Sequence, residues 1–263
     1  MDREQEKKKY RDKLDNLIND ENTIPGIFNY CDRWCERCSF TSKCTVYLMD
    51  EFRDKNLKND VENAKFWKDL SFIFEVTMDM LQDKMEEFGI DAYDLEQTKE
   101  DTLNVTQDKK TKRRSEELAM EYAKVSGKWL EENSKFIEEK VNHLNIIDKE
   151  NEITISDAIE VILWYQFFIA PKVNRANTPK MFEEDNFEDD DKLGSAKIAL
   201  IAVERSIEAQ NVLMNYFPEK EDEILNLLVL LSKTKKHLLD DFPNVMQFVR
   251  PGFDEKIDTS NKY

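Results

Sequence analysis

Cys31, Cys35, Cys38 and Cys44 are the only cysteines of the chain, and they fall within fourteen consecutive residues. Thiolates are nucleophiles and soft metal ligands. Four of them spaced Cys-x3-Cys-x2-Cys-x5-Cys read as a ligand set for a metal ion or an iron–sulfur cluster. Scattered cysteines serve as small core residues, but four converging on one point do not fit that role. In a reducing compartment stable disulfides are uncommon.

The spacing predicts an amphipathic helix over 28–38. Measured from Cys31 at 100° per residue, Cys35 lies at about 40°, Cys38 at about 340° and Trp34 at about 300°. Asp32, Arg33, Glu36 and Arg37 point the other way. Thr41 or Ser42 then caps a second helix over about 43–55, with Cys44, Tyr47, Leu48 and Phe52 on one stripe. Cys44 would occupy a first helical turn, where unbonded backbone N–H groups and the dipole favour a thiolate. Cysteines one helical turn apart have Cβ atoms about 5–6 Å apart. Tetrahedral zinc, with Zn–S of about 2.3 Å, needs sulfurs about 3.8 Å apart. A [4Fe–4S] cluster is therefore favoured over zinc, with all four cysteines as ligands. Arg33, Arg37 and Lys43 would offset the thiolate charge.

Cys31-x3-Cys35-x2-Cys38 resembles the cluster motif of radical S-adenosylmethionine enzymes over eight residues. Those enzymes leave one iron open and use a β/α barrel. Here Cys44 supplies a fourth ligand and the chain has no strand pattern, so the activity is not carried over. Cys35-x2-Cys38-x5-Cys44 is similar to the cluster staple of some helicase-associated and CRISPR-associated nucleases. The carboxylate and lysine motif of such a nuclease core is not evident, so the resemblance implies the staple alone.

Other chemistry is sparse. A di-iron bundle needs Glu-x-x-His pairs, yet His143 and His237 follow Lys140 and Thr234. Both histidines sit near expected helix ends, as favourable end charges. Glu160, with Glu204 and Glu208 at i,i+4, is a candidate second carboxylate site, but Glu204 and Glu208 read better as part of a solvated stripe with Lys197, Asn211 and Asn215. Asp189, Asp190 and Asp191 could hold a hard cation loosely, but read as a solvated loop. No catalytic residue is assigned.

The elements that must position these residues are helices. Five Gly and six Pro are too few for a sandwich or a Gly-looped nucleotide fold. Apolar residues recur at helical spacing over 1–20, over 60–88 up to Gly89, and over 115–144, with Gly127 as a weak point. Thr154 and Asp157 form a capping box into an apolar central helix over about 155–170, which Pro171 ends or kinks. Residues 90–114 read as a connection ending in the basic run Lys109, Lys110, Lys112, Arg113 and Arg114, and 177–194 as an exposed acidic loop. Ser195 opens a helix through Phe217, Pro218 opens another to about Leu239, and 242–263 is a tail. Trp34, Trp67, Trp129 and Trp164 fall on apolar stripes, as core residues.

The expected fold is all-α, a multi-helix bundle with an N-terminal helical hairpin carrying the four-cysteine metal or cluster site. Residues 1–58 would form that segment and 59–263 the bundle, packed together as one domain. Against 39 Lys and Arg stand 56 Asp and Glu, a net charge of −17. Such an acidic chain is not expected to bind nucleic acid or an anionic membrane. It has no signal core or span-length apolar run, so a cytoplasmic location is expected. The function expected is that of a metal-binding helical protein whose site is structural within a binding or adaptor module, open to a protein partner. The alternatives are an iron–sulfur electron-transfer or reductase-like protein, and a thiol-based redox sensor. Oligomeric state is left open.

Overall fold

The computed structural model describes residues 2–50, 64–89, 113–147, 149–178 and 186–254. Every regular element among them is helical, with no strand. The chain divides into two compact units. The first is drawn from Met1–Phe28, Arg33–Lys110 and Pro251–Tyr263, the second from Asn29–Asp32 and Thr111–Arg250.

In the first unit, α1 (Arg3–Ile18) buries none of its residues. Charge attaches it to α3 (Ala64–Phe88). Arg3 donates to Glu75, Lys7 to Asp79 and Arg11 to Asp83, each pair separated by 72 residues. The constant offset means that the two helices run in the same direction. Tyr10 meets Phe72 edge-on at 5.8 Å, and Val76 lies buried. Gly89, at φ +66°, supplies the left-handed stop expected of it. Trp67 is 54% exposed rather than core, because it lies opposite the face that α3 turns to α1.

The cysteine-bearing stretch departs from expectation. No α-helix spans 28–38; its place is taken by 3-10 turns at Ile27–Tyr30 and Cys35–Arg37. Another covers Thr41–Lys43, so neither Thr41 nor Ser42 caps the following helix α2 (Thr45–Asp50). Arg33 is left-handed, with φ +60°, a conformation that no α-helix admits and that costs a residue with a Cβ about 1–2 kcal/mol. Residues 51–55, and the expected boundary at 58, lie outside the described residues.

The second unit is a bundle of α4 (Arg114–Glu132), α5 (Ser134–Ile147), α6 (Lys149–Tyr165), α7 (Ile169–Ala176), α8 (Asn186–Tyr216) and α9 (Glu221–Asp241). Helices α4, α7, α8 and α9 close a ring in which each packs on the next, and α6 lies along α8. The central helix is thus α8, not the apolar one ending at Pro171. Ala196, Ala199, Ala202 and Ala209 are buried on α8, and such small side chains let neighbouring helices approach closely. Helix α6 leaves Leu163 52% exposed.

Several boundaries differ from those expected. The long helix expected over 115–144 breaks at Asn133, not Gly127. The Trp129 carbonyl accepts both the Asn133 N–H at 3.0 Å and Asn133 Nδ2 at 2.9 Å, and Nδ2 also donates to Glu223 at 3.3 Å; an Asn side chain that bonds nearby backbone favours a helix end. Thr154 and Asp157 lie inside α6, which starts earlier at Lys149. The break falls at 166–168, ahead of Pro171, which sits in the first turn of α7. A proline ring clashes with the carbonyl four residues back, and a first turn avoids that clash. The acidic residues 188–191 belong to the first turns of α8, so Ser195 is interior to that helix. Negative charge at a helix N-terminus is favourable, and Asp191 takes Arg175 bidentately at 2.7 and 2.9 Å. Glu183, Glu184, Asp185, Lys109, Lys110 and Lys112 lie outside the described residues.

Candidate functional site

All four cysteines are half-buried. Two of them occupy equivalent positions. The Cys38 N–H closes a turn onto the Cys35 carbonyl at 3.2 Å, and the Cys44 N–H closes the next onto the Thr41 carbonyl, also at 3.2 Å. Cys38 Sγ accepts the Phe40 N–H at 3.4 Å. The Cys44 carbonyl accepts the Leu48 N–H at 2.9 Å. Cys44 therefore immediately precedes α2 rather than lying within it, next to the unbonded N–H groups of its first turn.

The chain around these cysteines is held from both sides. The Ile24 N–H donates to the Lys43 carbonyl at 3.0 Å, drawing the start of the segment to its end. Phe40 packs edge-on against Phe253, with ring centroids 5.0 Å apart. Trp34 is buried, and the Arg37 guanidinium lies 4.1 Å above its ring. This is a cation–π contact that holds a positive charge one residue before Cys38.

A second constellation, inside the bundle unit, was not anticipated. Asp32 Oδ2 accepts the Tyr165 hydroxyl at 2.6 Å and Arg205 Nη1 at 2.7 Å. The same Arg205 nitrogen also donates to the Tyr165 oxygen. The Trp164 indole N–H donates to the Asp32 carbonyl at 3.0 Å. Burial, reinforced by the hydrogen bond to Asp32 and its negative charge, pushes the Tyr165 hydroxyl well above the usual tyrosine range. Tyr30, from the same short segment, lies on α8 over Gly194, where a Cβ would come within 2.1 Å of its ring. Phe248 meets Tyr30 edge-on at 5.0 Å. Nothing in the local sequence around Asp32 signals partners more than 130 residues away.

The other candidates are placed as follows. Glu204 pairs with Lys235 of α9 at 2.9 Å, while Glu160 and Glu208 are exposed. Among the described residues, no group of three or more His, Cys, Asp or Glu side chains stands in position to hold a metal ion. No helix among them is long and apolar enough to cross a membrane. Compared with known protein families, curated proteins and solved structures, the chain matches none of them.

Proposed function

We propose that the Cys31, Cys35, Cys38 and Cys44 side chains, which do not stand in ligating positions, turn together to bind one thiophilic metal centre, and that this centre is structural, bracing the turn-rich segment of a helical binding module. The observation that carries this reading is the Phe40 N–H directed at Cys38 Sγ within two successive cysteine-ended turns. Backbone N–H donors of this kind stabilise a ligating thiolate. Cys31 enters the ligand set by its spacing, four residues before Cys35.

The local backbone bears on which metal is bound. A cluster cube suits cysteines spread along an α-helical face, whereas tight Cys-x2-Cys turns suit a tetrahedral ion. Zinc is therefore placed first. A [4Fe–4S] cluster is the second reading, favoured by the Cys31-x3-Cys35-x2-Cys38 spacing. A structural role is preferred to catalysis because four cysteine ligands would fill a tetrahedral centre and leave no position for a substrate.

The test is metal analysis on protein purified without chelators and without air. Stoichiometric zinc in colourless protein supports the first reading, and a brown protein with iron and sulfide supports the second. Protein free of both, with affinity for neither, removes the metal centre. If mild peroxide releases the metal and alters partner binding, the centre is a redox sensor rather than a brace.

A further inference from the structure

Four polar side chains meet inside the ring of the bundle unit. Tyr122 and Ser126 stand one turn apart on α4, and Ser206 and Gln210 one turn apart on α8, so each pair shares a helix face. All four are 0% exposed. Helices α4 and α8 lie across the ring from each other, since α7 and α9 each pack on both. Ser126, Ser206 and Gln210 nevertheless gather around the Tyr122 hydroxyl.

The hydrogen bonds of this cluster are incomplete. Ser206 Oγ donates to the Ala202 carbonyl at 2.8 Å, which leaves its oxygen to accept. Among the described residues, no group stands at hydrogen-bonding geometry to Tyr122 Oη, Ser126 Oγ or either polar atom of the Gln210 amide. On Gln166, Asn177 and Ser195 a buried atom in this condition occurs singly; around Tyr122 four such atoms come together. Buried polar groups of folded proteins are almost always bonded, to protein or to ordered water.

The chemistry of the four side chains selects what bridges them. A bridging molecule must donate to Gln210 Oε1 and accept from Gln210 Nε2, so it needs both capacities. None of the four is charged, and an ion would enter without a counter-charge. Their complete burial favours the smallest molecule that meets both conditions. We propose that ordered water bridges Tyr122, Ser126, Ser206 and Gln210, an internal hydration site that joins α4 to α8 across the ring. A buried water makes about three hydrogen bonds, and these side chains supply that number. The site is independent of the metal centre.

The test is magnetic relaxation dispersion of isotopically enriched water oxygen on the full chain. It registers water held for longer than the protein tumbles and is blind to the exchange of hydroxyl protons. Wild type is expected to show an internal-water signal that falls by at least one water per chain when Tyr122→Phe is combined with Gln210→Leu. An unchanged signal in a variant of unchanged helicity overturns the proposal. Wild type alone decides the matter if that variant does not fold. Its crystal structure, at a resolution that shows ordered solvent, is expected to place a water within hydrogen-bonding distance of both Tyr122 Oη and the Gln210 amide. Direct bonds among the four side chains with no solvent between them overturn the proposal, as does density for a larger molecule in the same place.

Discussion

Tyr165 donates its hydroxyl hydrogen to Asp32 Oδ2 at 2.6 Å across 133 residues of sequence. This bond ties the short segment 29–32 to the end of α6. The Tyr165 side chain is fully buried, so its hydroxyl needs a partner that water cannot provide. The accompanying Arg205 side chain is half exposed, and its ion pair with Asp32 is worth much less. Asp32→Ala should therefore destabilise the chain by about 1–3 kcal/mol, with Arg205→Gln costing under about 1 kcal/mol. Urea unfolding of both variants and of Tyr165→Phe checks this. If Asp32→Ala proves additive with Tyr165→Phe, the two residues are not coupled.

The same bond sets a pH dependence. Tyr165 ionises at higher pH in the folded chain than in the unfolded chain. Its contribution is fully present below the unfolded value of about 10 and is lost as pH rises from there toward the folded value. Stability should fall above about pH 10, and Tyr165→Phe should fall less steeply over that range. Parallel curves for the two proteins would contradict the assignment.

At Gly194 there is no room for a methyl group, since a Cβ would stand 2.1 and 2.2 Å from two carbons of the Tyr30 ring. Gly194→Ala must displace a buried aromatic side chain, at about 1–3 kcal/mol or more. Combining it with Tyr30→Leu should recover part of that loss. A thermal melt of Gly194→Ala indistinguishable from wild type would show that Tyr30 does not rest on α8.

The attachment of α1 is electrostatic. Arg3, Lys7 and Arg11 stand one turn apart, facing Glu75, Asp79 and Asp83 one turn apart, and α1 contributes no buried residue. Exposed pairs are weak singly and screened by salt. Amide exchange across 3–18 should accelerate between low salt and 1 M salt, while exchange in α8 stays unchanged. Equal protection of α1 at both salt concentrations would point to apolar attachment through Tyr10 instead.

The helical class and α3 with its Gly89 stop were legible because periodicity and turn residues are local properties. The cysteine segment was not. A helical wheel phases its cysteines together, but residues 29–32 are engaged by Trp164, Tyr165, Arg205 and Gly194, and Arg33 turns left-handed. Contacts that distant override local spacing. The central role of α8 was hidden for a different reason. Its buried residues include four alanines, Ser195, Ser206 and Gln210, which give a weaker apolar signal than the Leu and Ile of α6. Asn133, at the helix break, also bonds Glu223 of α9, a partner that no local window contains.

The most direct measurement is the metal content of wild type and Cys38→Ser, determined side by side with their melting temperatures. One metal centre per wild-type chain is expected, with loss of metal and a lower melting temperature in Cys38→Ser. Metal-free wild type that gains nothing from added zinc or from cluster reconstitution, together with an unshifted Cys38→Ser melt, would contradict the structural metal centre.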